Sequence, residues 1–495
     1  MNSMPTPSFR SALLSALALA PLIGCTVGPD FKPPNPEVPA AWSASASPAS
    51  SAQPSQATTA PVDHADAWWA GFHDPELTSL IDRAAAANLD AKEAVLRIAE
   101  ARAQHDVTAA DRWPSLSANA SAEVNRLSET TPTGALFSKI GQFPDLSGVS
   151  IPNPYDQYQL GFDASWEVDL WGRVRRSVEA AKADTAAQVE DSRAVLISMQ
   201  GDVGRAYIDL RGAQESRRIV ERNIATEREL LDLAGQRRRA GLSSDIDAVR
   251  AAAEASSAEA QLPALDGRIT LDINQLSKLL AREPGALGAE LAAVRPVPPV
   301  PPSVPIGLPA DLARRRPDIR EAEERLHAAT ARIGVAVADL YPKLTLGAQG
   351  GLQSQSLASL GDWASRFVTA GPTIELPIFD AGRRHATVRL QDVRAREAAL
   401  GYRRTVLSAL HEVDDALAAY GADQSRRMAL AQTVARDRDA VDLARQRYAS
   451  GVASFLDVLD AQRTLEQNDL TLADSAAAVS TDLVVLYKAL GGGWS

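Results

Sequence analysis

The chain has 495 residues, 23% of them charged and only 5% aromatic, with a formal net charge of −11. That length suggests two to four domains, and a mixture dominated by Ala, Leu, Arg, Glu and Asp suits long helices better than a compact α/β enzyme core. The acidic balance lacks the basic footprint that nucleic acid demands, so no nucleic-acid partner is expected, and the lone cysteine, Cys25, excludes an intrachain disulfide.

At the N-terminus Arg10 supplies a positive charge, Ser11–Ala20 a short apolar stretch, and Leu22-Ile23-Gly24-Cys25 closes the segment. This resembles a bacterial lipoprotein signal over residues 1–24, after which the Cys25 thiol is lipidated and begins the mature chain. The other reading is an ordinary secretory signal with an incidental cysteine. Under the lipoprotein sorting rule, Thr26 in place of aspartate favours the outer membrane. Each buried CH2 of an acyl chain gains about 0.8 kcal/mol, so several chains anchor firmly. No later segment holds about 18 uninterrupted apolar residues, so no transmembrane helix is expected; such an envelope protein is merely tethered or spans as strands. Residues 25–73, rich in Pro, Ala and Ser, read as a lipid-anchored extended tether without regular helix.

Residues 74–294 form a first unit. A helix over 75–112 is stopped by Pro114. Residues 115–126 then alternate, with Leu116, Ala118, Ala120, Ala122 and Val124 on one face. After a loop rich in Pro, Gly and Ser, 158–170 alternates again, with Tyr158, Leu160, Phe162, Ala164, Trp166, Val168 and Leu170 aligned. Two-residue periodicity this long fits strands with one face to lipid and the other to a lumen, or a half-buried soluble sheet. A helix over 174–240 follows, about 100 Å long at 1.5 Å per residue. Its Met199, Val203, Tyr207 and Leu210 mark a coiled-coil-like seam. A tight turn leads to a helix over 245–282.

A linker over 295–310, whose RPVPPVPPSVPIGLP holds seven prolines, is expected to lack helix. Residues 311–490 then repeat the first unit: a helix over 311–340, strands 343–352 and 366–378, a long helix 383–450 and a helix 454–490, with 491–495 as a tail. LDAKEAVLRIAEARAQHDVTAADRWPSL at 89 returns as PDIREAEERLHAATARIGVAVADLYPKL at 317, and RRAGLSSDIDAV at 238 as RYASGVASFLDVL at 447. The fold class expected is mainly α with membrane β, internally duplicated. Four strands cannot close a barrel and bare edges in lipid are untenable, so other copies must complete it; a trimer, with twelve strands, is the simplest arrangement that leaves a passage.

Enzyme chemistry is not indicated. The six histidines are scattered and no HExxH, Walker loop, GxSxG or cysteine cluster occurs. His411-Glu412 reads as a solvated helix face, and the arginines at 237–239 and 314–316 as helix-end charge. No cofactor is expected beyond a covalent lipid on Cys25. A lipid-anchored coiled-coil adhesin or spacer remains the alternative to a channel, separated from it by conductance.

The strings CTVGPDFKPP (25–34), DLWGRVRR (169–176), RRPDIREAE (315–323), YPKLTLGAQGG (341–351), GPTIELPIFDAGRR (371–384) and GVASFLDVLDAQRTL (451–465) resemble the TolC-like outer-membrane efflux channels, in their lipidated OprM-like branch. The resemblance implies a homotrimer whose barrel in the outer membrane continues as a helical tunnel across the periplasm. It also implies a periplasmic adaptor and an inner-membrane transporter of the RND class as partners, and outer-membrane lipids around the barrel.

A tube through the envelope needs a closed inner end, and the turns between long and short helices are the natural place. Gly241 and Gly451 suit C-caps, and Ser244 with Asp247 and Ser454 with Asp457 fit capping boxes. Asp460 lies three residues beyond Asp457 on the same helix face, where the first unit has Arg250. Three copies would gather six carboxylates if that face points inward. The resemblance implies that Asp457 and Asp460 match the aspartates of the family's closed entrance and Tyr448 its tyrosine. The basic residue some members carry after the turn glycine is replaced by Ala453. The expected gate is Asp457, Asp460, Asp247 and Tyr448, with the second unit's helix pair moving against the first.

Overall fold

The computed structural model describes residues 26–43, 56–58, 65–139 and 152–493. The signal segment 1–24 and Cys25 lie outside them. In chain order the elements are β1 (Gln56–Thr58), α1 (Pro75–Ala87), α2 (Leu89–Ala110), β2 (Ser115–Asn125), α3 (Pro132–Lys139), β3 (Tyr155–Val168), α4 (Arg173–Arg239), α5 (Asp245–Glu259) and α6 (Leu262–Leu279). There follow α7 (Gly288–Leu291), β4 (Ser303–Pro305), α8 (Pro309–Arg315), α9 (Pro317–Ala338), β5 (Lys343–Ser354), β6 (Arg366–Glu375), α10 (Arg383–Ala449) and α11 (Phe455–Ala489). The long helices α4 and α10 are each 67 residues, the same length in both repeats.

The described residues fall into two compact units, one within the spans 1–33, 101–185 and 325–398 and the other within 34–100, 186–324 and 399–495. The first holds an antiparallel sheet in the order β2-β3-β5-β6. Register shows why its strands alternate. Leu116 pairs with Ala164, Ala118 with Phe162, Ala120 with Leu160, and then Leu160 with Leu352, Trp166 with Leu346, and Leu344 with Ile374. Directly paired residues point to the same side. One face is therefore apolar across all four strands, and Ser117, Asn119, Asp163, Gln159, Gln349, Thr345 and Thr373 fall on the other. Pro372, which lacks an N–H, sits in the outer strand β6, where one side of the backbone needs no donor within the sheet. The expected strand 366–378 ends at Glu375, before Pro377. The second strand runs 155–168 rather than 158–170.

The N-terminal segment corrects the reading of 25–73 as an extended tether. Within the first unit, Val27 N donates to Trp171 O at 3.1 Å, Asp30 pairs with the buried Arg176 at 2.6 Å, and the Phe31 ring stacks on His327 at 4.4 Å. Within the second unit, Trp42, Trp68, Trp69 and Phe72 are all buried, the last three in a 3₁₀ segment over Ala65–Phe72. β1 pairs in parallel with β4, so the proline-rich linker also contains a strand. Composition made both stretches look like spacers; their few large apolar side chains decide otherwise.

The second unit is mostly helical, and its main core is shared by several helices. It takes in Leu77, Leu80 and Ile81 of α1, Val203, Tyr207 and Leu210 of α4, Tyr402, Val406 and Val413 of α10, and Val479, Leu483 and Leu486 of α11. Tyr207 hydroxyl donates to Asp74 Oδ2 at 2.8 Å, and Asp74 caps α1. By length and composition alone α11 is apolar enough to cross a membrane, but half of that stretch is buried inside the protein and several of its residues belong to this core.

Three expected helices are broken. Residues 75–112 divide at Asn88, whose amide side chain donates to Leu279 O and accepts from Ala91 N, ending α1 and starting α2. The second repeat breaks at the matching place, Arg316, because the residue before Pro317 is pushed out of the helical region. Residues 245–282 divide after Glu259, where Pro263 opens α6 without an N–H to give back. α11 carries no proline and runs unbroken for 35 residues.

Candidate functional site at the helix turns

Both long helices end in the same way. Gly241 (φ +72) donates to Arg238 O and Leu242 N to Arg237 O; Gly451 (φ +75) donates to Tyr448 O and Val452 N to Arg447 O. These paired bonds satisfy the last carbonyls, and the positive φ at their centre is open to glycine at no steric cost.

The next helix starts on a reciprocal cap in each repeat. Ser244 N donates to Asp247 Oδ2 at 3.3 Å; Ser454 N donates to Asp457 Oδ2 at 2.8 Å and Asp457 N to Ser454 Oγ at 3.2 Å. The amide and hydroxyl of Ser454 hold the Asp457 carboxyl below the usual carboxylate range. Asp457 is thus engaged with its own turn while exposed. Asp460 is exposed one helical turn on. Asp247 is half-buried.

Tyr448 is placed differently from the aspartates. Its ring is buried and packs against Phe455 at 5.4 Å, within a cluster of Leu230, Ala234, Ala251, Val458 and Leu459. The Arg237 guanidinium lies 4.4 Å from the ring centroid, and its Nη1 donates to Tyr448 O at 3.1 Å. Burial pushes the Tyr448 hydroxyl up, with Arg237 opposing and Asp247 reinforcing the shift. The turns of the two repeats are therefore joined through Arg237, Tyr448 and Phe455, while Asp457 and Asp460 face outward from that cluster.

Sequence reasoning missed two features here. Arg237 was expected to be helix-end charge, yet it is the side chain that crosses from α4 to α10. Glu227, buried in α4 above the cluster, escaped notice altogether. Its signal was present: Val220, Ile224, Glu227, Leu230 and Ala234 recur at three- and four-residue steps, so an acid occupies a core position of the seam.

Against known proteins, the family model for outer membrane efflux proteins matches this chain twice, over residues 80–282 and 308–492. The chain is 32% identical to outer membrane protein OprJ of Pseudomonas aeruginosa, covering 99% of this chain and 97% of that one. It is 34% identical to the solvent efflux pump outer membrane protein SrpC of Pseudomonas putida, covering 97% and 98%. Its structure matches that of the outer-membrane channel OprN with a TM-score of 0.84 at 33% identity, over 95% of this chain and 100% of that one.

Proposed function

The chain belongs to the outer membrane efflux protein family, and from that premise we propose how its own residues build and close the duct. It is the outer-membrane exit duct of a tripartite efflux pump, with the fold of the TolC-like trimeric barrels continued by a helical tunnel, and the family is one of conduits.

The sheet carries the reading. Its apolar face is continuous over four strands, and β2 and β6 are each paired on one side only among the described residues. Lipid leaves no water to satisfy those edges, so three copies pair β6 of one with β2 of the next and close twelve strands. Cys25 carries the lipid. Two residues after it in the sequence, Val27 N donates to Trp171 O just past the end of β3. A periplasmic adaptor and an RND-class transporter are the partners in this reading.

In the trimer Asp457 and Asp460 narrow the inner end and favour cations, since crowded carboxylates repel one another and attract counter-charge. Because Asp457 also caps α11, its charge is removed while the cap is kept by Asp457→Asn, paired with Asp460→Ala. In planar bilayers this double variant raises single-channel conductance and weakens cation preference; unchanged values for both would refute the acidic gate. Heat-modifiable trimer migration in detergent tests the barrel, and a non-conducting monomer would return the reading to an adhesin or spacer.

A further inference from the structure

One charged residue stands alone in the middle of the sheet's polar face. Register sorts that face into rows across the strands, and one row is Ser117, Asp163, Gln349 and Thr369. On one side of it lie Ser115, Ser165, Gly347 and Gly371; on the other lie Asn119, Gly161, Gly351 and Phe367. The other charged residues of this face stand toward its ends: Glu123 at one, and Glu167, Lys343 and Glu375 at the other. Glu167 is neutralised where it stands, since Arg173 Nε and Nη2 donate to it at 2.7 Å and Lys343 Nζ lies 3.0 Å away. Asp163 is half-buried and makes no ion pair among the described residues. Asn119 Nδ2 donates to its Oδ2 at 2.8 Å.

The neighbouring rows decide how far Asp163 reaches. Gly161 pairs with Gly351 and Gly347 with Gly371, so a glycine pair lies on each side of the Asp163–Gln349 pair. Glycine adds no side chain to the wall, and at Gly347 and Gly371 a Cβ would meet nothing within 4 Å. Asp163 and Gln349 therefore project beyond the wall beside them. Asn119 fixes the direction of the carboxylate without neutralising it, because an amide carries no charge.

We propose that Asp163 is a charge filter in the barrel itself, separate from the acidic inner end: three copies set a ring of carboxylates within the lumen that favours cationic solutes over anionic ones. The filter rests on the duct reading, in which the apolar face meets lipid and the polar face the lumen. Twelve strands about 4.8 Å apart and tilted about 40° enclose a backbone radius of about 12 Å, and a short side chain brings each carboxylate to roughly 9 Å from the axis. The Debye length is about 10 Å at 0.1 M salt and about 3 Å at 1 M. Coulomb's law in water with that screening gives three unit charges a cation-over-anion bias at the axis of roughly sevenfold at about 0.1 M and about 1.3-fold at about 1 M. Selectivity that comes from Asp163 is therefore a low-salt property.

The test measures reversal potentials of the full mature protein in planar bilayers, under a potassium chloride gradient centred near about 0.1 M and again near about 1 M. The background is Asp457→Asn with Asp460→Ala, which removes the inner-end charge. In that background the channel keeps a cation preference at low salt. Adding Asp163→Asn, which still offers Asn119 an acceptor, lowers the permeability ratio several-fold there and leaves the high-salt value alone. Asp163→Lys turns the preference toward anions. Gln349→Glu adds a carboxylate to the same row and strengthens the cation preference, which serves if the Asp163 variants fail to form heat-modifiable trimers. An Asp163→Asn channel as selective as its background at low salt overturns the filter. So does a Gln349→Glu channel that matches its background, or an effect of equal size at both salt concentrations. Absence of current in every variant would refute the duct reading and the filter with it; current without these shifts refutes the filter alone.

Discussion

Trp68→Ala tests whether the segment after the lipid anchor is a spacer or part of the core. Trp68 is 4% exposed, stacks on Tyr487 at 5.6 Å between centroids, and meets Trp69 and Phe72 edge-on at 5.6 and 6.1 Å. Its ring edge rests against Gly204, where an added Cβ would come within 2.9 Å. An indole buries roughly 150–250 Å² and each Å² contributes about 25 cal/mol, which gives about 4–6 kcal/mol. Truncations of buried tryptophan to alanine cost about 3–5 kcal/mol, so about 4 kcal/mol is expected. Guanidinium unfolding of the detergent-solubilised protein, followed by far-ultraviolet circular dichroism, reads that loss from the helical second unit. A loss below about 1 kcal/mol would show that residues 65–72 hang on the surface and that the tether reading was right.

Two further perturbations probe other parts of the same unit. Arg316 is buried and donates to Asp318 and Glu412 at 2.7 Å and to Ala489 O at 2.8 Å; water reaches both carboxylates, so Arg316→Met mainly strands the buried Ala489 carbonyl and costs about 1–3 kcal/mol by the same unfolding measurement. Asp482 of α11 is raised to about 7 by burial and then by Asp423 of α10, so its stabilising contribution is present in acid and lost as pH rises through about 7. Asp482→Asn flattens that part of the pH–melting profile; a profile unchanged by the substitution would refute the assignment.

Much of the architecture was legible because it rests on short-range periodicity. Leu116 to Val124 alternate whatever they pair with, and the strand pair they open recurs in the second unit. The long helices could be measured from turn to turn, since Gly241 and Gly451 terminate a helix by local backbone geometry. Ser244–Asp247 and Ser454–Asp457 were readable as caps for the same reason: every bond in a capping box joins residues within one turn. The breaks at Arg316 and Pro263 were local too, each marked by a proline, whereas Asn88 also bonds to Leu279 O, 191 residues away.

What escaped the sequence involves partners far apart in the chain. Trp42, Trp68 and Trp69 sit in a stretch whose average composition is that of a spacer, and only distant partners make them core: Tyr487 and Gly204 beside Trp68, and Gly307 O bonded to Trp42. Arg237 looks like any basic residue at a helix end until Tyr448, 211 positions later, is placed under it. Glu227 has a core spacing and a polar identity, a conflict that the sequence states but does not resolve. Local geometry and periodicity are written into consecutive residues, so the sequence by itself determined strands, rods, caps and duplication. Which carboxylate is buried depends on where helices meet; only the tertiary structure decided that Asp457 is a solvent-facing cap and Glu227 a buried acid.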